Sequence, residues 1–211
     1  MQKSVPYKQS TIHYYTFGSG NEALFYFHGY GRNGNDFAFL EQELGNRFTV
    51  ICINFPFHYN TIWNEGLLLS EDDLLNIISL TNPFDDDTFS LLGYSMGGRV
   101  ALHLLQIIPQ KIKHVVLIAP DGLHNNILQK IATHTIVGNM LFKFTMQYPT
   151  WLFLVIKAAN SMGLFNKSIF KFVHFYIDNN EEREALYKRW TTMRKFKPKI
   201  ALLQKTVHQY Q

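Results

Sequence analysis

Phe89-Ser90-Leu91-Leu92-Gly93-Tyr94-Ser95-Met96-Gly97-Gly98-Arg99-Val100 is the stretch on which the fold turns. Its first four residues form a short apolar run, which predicts a buried strand. From Met96 apolar residues recur at helical spacing, and Pro109 stops them, which predicts a helix over 96–108. Between the two lies Gly93-Tyr94-Ser95-Met96-Gly97, a G-x-S-x-G motif in strand–turn–helix context. The residue types explain the geometry. A serine on a sharp turn projects its hydroxyl above the sheet, and side chains at 93 and 97 would crowd the close approach of strand and helix. The helix after the turn aims its first N–H groups at the same spot, which favours negative charge there. Ser95 is therefore the candidate nucleophile.

Outward from this turn the first 122 residues alternate strands and helices. Thr11 to Phe17 alternates apolar and polar residues and ends at Gly18-Ser19-Gly20. Ala23–Phe27, Phe48–Phe55 and Ile112–Ala119 read as further strands, the apolar runs of a sheet buried on both faces. A helix is expected over Asp36–Leu44, stopping at Gly45. Another should follow Ser70, whose side chain can cap it, with Glu71, Asp72 and Asp73 favoured in its first turn. This alternation predicts an α/β fold, a mostly parallel sheet covered by helices.

After Gly122 the period changes. Helices are expected near 125–134, 138–147, 149–160, 165–176, 179–195 and 198–208, with no strand. The boundary gives an N-terminal α/β core over 1–122 and an all-helical region over 123–211.

Composition excludes several classes. Of 211 residues, 46% are hydrophobic, 17% charged and 15% aromatic, which is a globular composition and not a disordered one. The single cysteine can form neither an internal disulfide nor a cysteine zinc cluster, and Cys52 sits in an apolar strand run. Residues 1–121 hold 7 Lys/Arg against 12 Asp/Glu, whereas residues 122–211 hold 13 against 4. The basic residues of the second part (Lys167, Lys171, Lys188, Lys195) are spaced out, so they read as solvated helix faces and not as a nucleic-acid surface. Met1 to Ser10 is polar and no signal-peptide apolar region comes after it. The longest apolar stretch, Trp151 to Phe165, is broken by Lys157, Asn160 and Ser161, which argues against membrane insertion. A cytoplasmic protein is expected.

A second glycine loop, His28-Gly29-Tyr30-Gly31, comes directly after the strand Ala23–Phe27. With Gly93-Tyr94-Ser95-Met96-Gly97-Gly98 and the post-strand Ala119-Pro120-Asp121-Gly122, it makes the chain resemble the α/β-hydrolase superfamily, in its lipase/esterase-like branch. The resemblance covers residues 11–122. The helical region resembles, by composition alone, the cap such enzymes carry after their sixth strand. It implies that the loop after the first buried strand, Gly29 and Tyr30, lies at an oxyanion hole, with the N–H groups of Tyr30 and Met96 as donors. His28 is expected to hold that loop's shape. Arg32 and Asp36 read as a solvated pair.

The resemblance also implies an acid after a seventh strand and a histidine after an eighth. Neither strand is found, and about 60 further residues would be needed for them. The expectation is a truncated sheet whose exposed edge favours self-association, with weak or no intrinsic activity. Within the chain, Asp121 is the internal acid candidate, more readily a turn residue. His124, His134, His174 and His208 are the internal bases, each more readily a packed or surface histidine.

The expected function is a serine hydrolase acting on a small ester or related acyl substrate through an acyl-enzyme on Ser95. A non-catalytic fragment that keeps the turn and binds a ligand or partner is the alternative. Another reaction on the same fold, such as C–C bond hydrolysis, also stays open, although a serine in place of an aspartate argues against dehalogenase and epoxide-hydrolase chemistry. A serine nucleophile needs no metal, and no cofactor is expected either, because the Gly-rich turn lacks a phosphate-loop lysine.

Overall fold

The computed structural model describes residues 1–123, 131–133, 135–161 and 177–210. Six strands form one sheet: β1 (Gln2–Tyr7), β2 (Ser10–Phe17), β3 (Glu22–Phe27), β4 (Phe48–Ile53), β5 (Phe89–Tyr94) and β6 (Ile112–Ile118), in the order β1-β2-β4-β3-β5-β6. β1 and β2 form an antiparallel hairpin, and β2 pairs antiparallel with β4. The remaining pairs, β4 with β3, β3 with β5 and β5 with β6, are parallel.

The direction of winding reverses at β3. From β3 the chain moves to β4 on one side, and from β4 it crosses back to β5 on the other. The loops leaving β3 and β5 therefore diverge, and a crevice opens above the carboxyl ends of these two strands. The core beneath it is dense. Phe25, Tyr26, Phe27, Ile51, Leu91 and Phe55 are fully buried, as continuous apolar strands covered on both faces require.

The helices of this part are α1 (Glu41–Leu44), α2 (Glu71–Thr81) and α3 (Met96–Ile107). α2 starts where the sequence predicts. Ser70 Oγ accepts the Asp73 N–H and the Asp73 carboxylate accepts the Ser70 N–H, which closes a capping box. Asp73 also accepts Tyr7 Oη–H at 2.7 Å and the Lys8 ammonium at 2.6 Å, tying the helix to the first hairpin.

Three expectations need correction. β1 is a strand that its polar sequence does not announce. The helix expected over Asp36–Leu44 is a 3-10 segment over Gly34–Leu40 followed by the short α1, because Phe37 leaves helical backbone angles. The run Ile112–Ala119 is not buried on both faces. β6 ends the sheet order among the described residues, and Val116 and Ile118 are exposed.

The chain divides into two compact units, Met1–Asn125 with Lys195–Gln211, and Asn126–Arg194. The last helix, α7 (Ile200–Tyr210), thus belongs with the sheet, where the sequence boundary at 122 left it with the helical region. His103 of α3 explains this. Its Nδ1 accepts the Lys197 N–H at 3.2 Å, and its ring meets Phe196 edge-on. Its Nε2–H points at Glu71 of α2, 2.8 Å away.

The second unit holds α4 (Ile136–Gln147), α5 (Thr150–Ser161) and α6 (Asn180–Thr192), close to the expected spans. α4 packs on α6 through Phe142, which lies 5.6 Å from the Tyr187 ring and 5.7 Å from that of Trp190. Asn139 bridges the same helices, donating to Thr191 Oγ1 and accepting from Tyr187 Oη–H. The helix expected over 165–176 lies outside the described residues, as does most of that over 125–134.

Candidate active site

Ser95 occupies the turn between β5 and α3 with φ 51° and ψ −114°. Such a conformation costs a non-glycine residue about 1–3 kcal/mol and persists only where the surroundings enforce it. The enforcement is visible. The Ser95 N–H donates to Ile118 O of β6 at 3.0 Å, and the Ser95 carbonyl accepts the N–H groups of Gly98 and Asp121 at 2.9 and 2.8 Å. The flanking glycines are required by contact. A Cβ on Gly97 would lie 1.9 Å from Phe27 O, and one on Gly93 would lie 2.6 Å from Gly98 Cα. The first turn of α3 thus rests against the end of β3.

That contact brings the second loop to the serine. The Cβ position of Gly29 points at the Tyr94 ring and lies 3.4 Å from Ser95 Cβ. Gly29 and Tyr30 therefore stand beside Ser95 at the crevice between β3 and β5. Met96 is the first residue of α3, so its N–H has no acceptor within the helix. The structure thus brings Ser95, Gly29, Tyr30 and Met96 to one place.

His28 is fully buried. Its Nε2 accepts the Phe55 N–H at 3.1 Å, which leaves Nδ1–H to donate to Gly29 O at 2.8 Å. Nδ1 thus holds the loop itself, as expected from the sequence, and Nε2 ties it to the segment after β4. Arg32 and Asp36 lie 3.7 Å apart with the arginine exposed. Cys52 is buried in β4, where burial pushes its thiol well above the usual value.

Sequence reasoning missed the bed under this loop. His58 is fully buried; its Nδ1–H donates to Pro56 O, and its ring lies 4.9 Å from His28 and 6.2 Å from Tyr30. Asn54 Oδ1 accepts the Gly34 N–H at 2.9 Å, fastening the segment after β3 to the end of β4. The only signal was position: residues 54–58 come after the carboxyl end of a parallel strand, where sites gather.

Of the internal triad candidates, Asp121 has its carboxylate 3.6 Å from the Arg99 guanidinium. His208 lies exposed in the last turn of α7. His124, His134 and His174 lie outside the described residues. Among the described residues, none donates or accepts a hydrogen bond at Ser95 Oγ, and no group of three His, Cys, Asp or Glu side chains could hold a metal ion.

The family model for the alpha/beta hydrolase fold matches residues 22–167, more than half of the chain. The chain belongs to the alpha/beta-hydrolase family. Within it, the chain is 28% identical over 115 residues to a dihydrolipoyllysine-residue acetyltransferase component of an acetoin cleaving system from Cupriavidus necator, a match covering 53% of this chain and 30% of that protein. It is 28% identical over 108 residues to a pimeloyl-[acyl-carrier protein] methyl ester esterase from Salmonella heidelberg, covering 51% of this chain and 40% of that one. These matches span less than half of either curated relative. Among solved structures, a hydrolase from Pseudomonas aeruginosa PA01 superposes with a TM-score of 0.59 at 15% identity, covering 93% of this chain and 73% of that one. Among the described residues of this alpha/beta hydrolase, no helix is long and apolar enough to cross a membrane.

Proposed function

We propose that the chain is a serine hydrolase that transfers an acyl group from a small ester to Ser95. The observation that carries this reading is the strained backbone of Ser95 with Gly29 set against its Cβ. A serine held this way presents its hydroxyl to a carbonyl carbon lying in the crevice. The carbonyl oxygen, as it gains charge, is held by the N–H groups of Tyr30 and Met96, strengthened by the positive end of α3. The oxygen–carbon bond to the leaving alcohol breaks, an ester forms on Ser95, and water later releases the acid. The methyl ester esterase among the relatives supports an ester as the substrate class.

No described histidine reaches Ser95, and a serine without a base is barely ionised at neutral pH. With the described residues alone, acylation would be slow. The same observation favours the second reading, a ligand-binding protein that keeps the turn without turnover.

Incubation with p-nitrophenyl esters of increasing acyl length, followed by intact-mass and peptide mapping, separates the two. The expected result is an acyl adduct on the peptide holding Ser95, absent from Ser95→Ala. Binding of the ester with no adduct at Ser95 would support the non-catalytic reading.

A further inference from the structure

We infer that Arg99 and Asp121 form a positioning pair that holds Ser95 in its strained conformation. The inference rests on reading Ser95 as the nucleophile. The Ser95 carbonyl receives the Asp121 N–H at 2.8 Å and, more weakly, the Arg99 N–H at 3.4 Å, while Ser95 donates to Ile118 O. Two of these bonds come from the end of β6 and the turn behind it. That turn is irregular, with φ 44° at Ala119 and φ 100° at Gly122, so its grip on the serine needs a fastening of its own.

Arg99 supplies the fastening. Its Nη1 lies 3.6 Å from Asp121 Oδ2, its side chain is 8% exposed, and the carboxylate is 29% exposed. Arg99 Nε has no hydrogen-bond partner among the described residues. The buried guanidinium thus leans on Asp121 for its counter-charge, and burial lowers its proton affinity against the pull of that carboxylate. A closed ring results. It runs from the Ser95 carbonyl to the Asp121 N–H, through the Asp121 side chain to the Arg99 guanidinium, and back by the Arg99 N–H to the same carbonyl. Among the described residues, the carboxylate that completes this ring is directed at an arginine, which makes Asp121 a positioning residue for the nucleophile.

The test is a cycle of Arg99→Met, Asp121→Asn and the double variant in the 211-residue chain. Asp121→Asn alone leaves a buried cation without its partner and is expected to melt lowest, whereas the double variant removes both charges and keeps the fold. The double variant should melt near the wild type yet acquire a fluorophosphonate on Ser95 about 10- to 100-fold more slowly at saturating probe, because misaimed nucleophiles lose rate steeply. Its half-saturating probe concentration should not change, and Arg99→Met should slow labelling as much as the double variant does. Arg99→Lys should restore part of the rate. Amide exchange at Asp121 and Gly98 should quicken about tenfold in the double variant while Leu91 stays protected.

Wild-type labelling and exchange in the double variant would overturn the pair. So would slowed labelling in Asp121→Asn beside a wild-type rate in Arg99→Met, which would make Asp121 an acid. The exchange readout needs no reaction at Ser95. A wild-type chain that never labels but shows the exchange response loses the nucleophile and keeps the pair; one that labels without that response loses the pair.

Discussion

The turn at residues 93–98 and the helices α4 and α5 are both glycine- or apolar-rich on paper, and the chain determines them to very different degrees. At the turn, backbone meets backbone. Gly97 lies against the carbonyl of Phe27, Gly93 against Gly98, and the Ser95 peptide is bonded on both sides. Position, and not polarity, selects each residue. On α4 the inward residues Phe142, Thr145 and Met146 are fixed by packing, while Ile136, Val137 and Met140 stand 82%, 78% and 67% exposed. An apolar residue there is compatible with many surroundings. Close backbone contact leaves a sequence one solution, and an apolar helix face leaves it several.

The sharpest way to break this contrast is Gly97→Ala. One methyl placed 1.9 Å from Phe27 O must push β3 and α3 apart. A loss of about 3 kcal/mol is expected from overpacking against backbone, read as a lowered urea midpoint; wild-type stability would refute the close approach. His28→Phe comes next. It keeps the ring but leaves the buried Phe55 N–H without an acceptor, for a loss of about 2 kcal/mol.

Asp73→Asn is smaller and depends on pH. Burial works against the Asp73 charge, but hydrogen bonds from Lys8, Ser70 and Tyr7 outweigh it and bring its pKa down from 3.8 to about 2. The folded value lies below the unfolded one, so the carboxylate's stabilisation is present above about pH 4 and fades as pH falls towards 2. Thermal melts at pH 7 should show the variant about 1 kcal/mol less stable through the weakened cap, with the gap closing in acid. A gap that widens in acid would contradict the network. At the far end, Ile136→Ser and Met140→Gln should shift stability by about 0.5 kcal/mol or less. A larger loss would show that their exposed faces are covered by another surface.

The same contrast explains what the sequence made legible. The strands flanking the turn, the helix after it and the Ser70 cap can be read from period and residue type over short spans, so the order of elements and the place of Ser95 were open to direct reading. β1 was not. Its residues Gln2 to Tyr7 are mostly exposed, with Pro6 tolerated on an outer strand, so no apolar run marks it. The end of α/β periodicity at Gly122 did not show that Phe196 and Lys197 return to His103, because that contact spans more than ninety positions. His58 beneath the glycine loop and Arg99 facing Asp121 were equally invisible. Each is an ordinary residue in its own segment and gains meaning from a neighbour supplied by another strand.

The most direct measurement of Ser95 as a nucleophile is intact-mass detection of fluorophosphonate on the folded chain over several hours, with Ser95→Ala beside it. Slow, one-to-one modification is predicted, mapped to the peptide containing Ser95 and absent from the variant. A folded chain that stays unmodified, or that is modified elsewhere and equally in the variant, would contradict it.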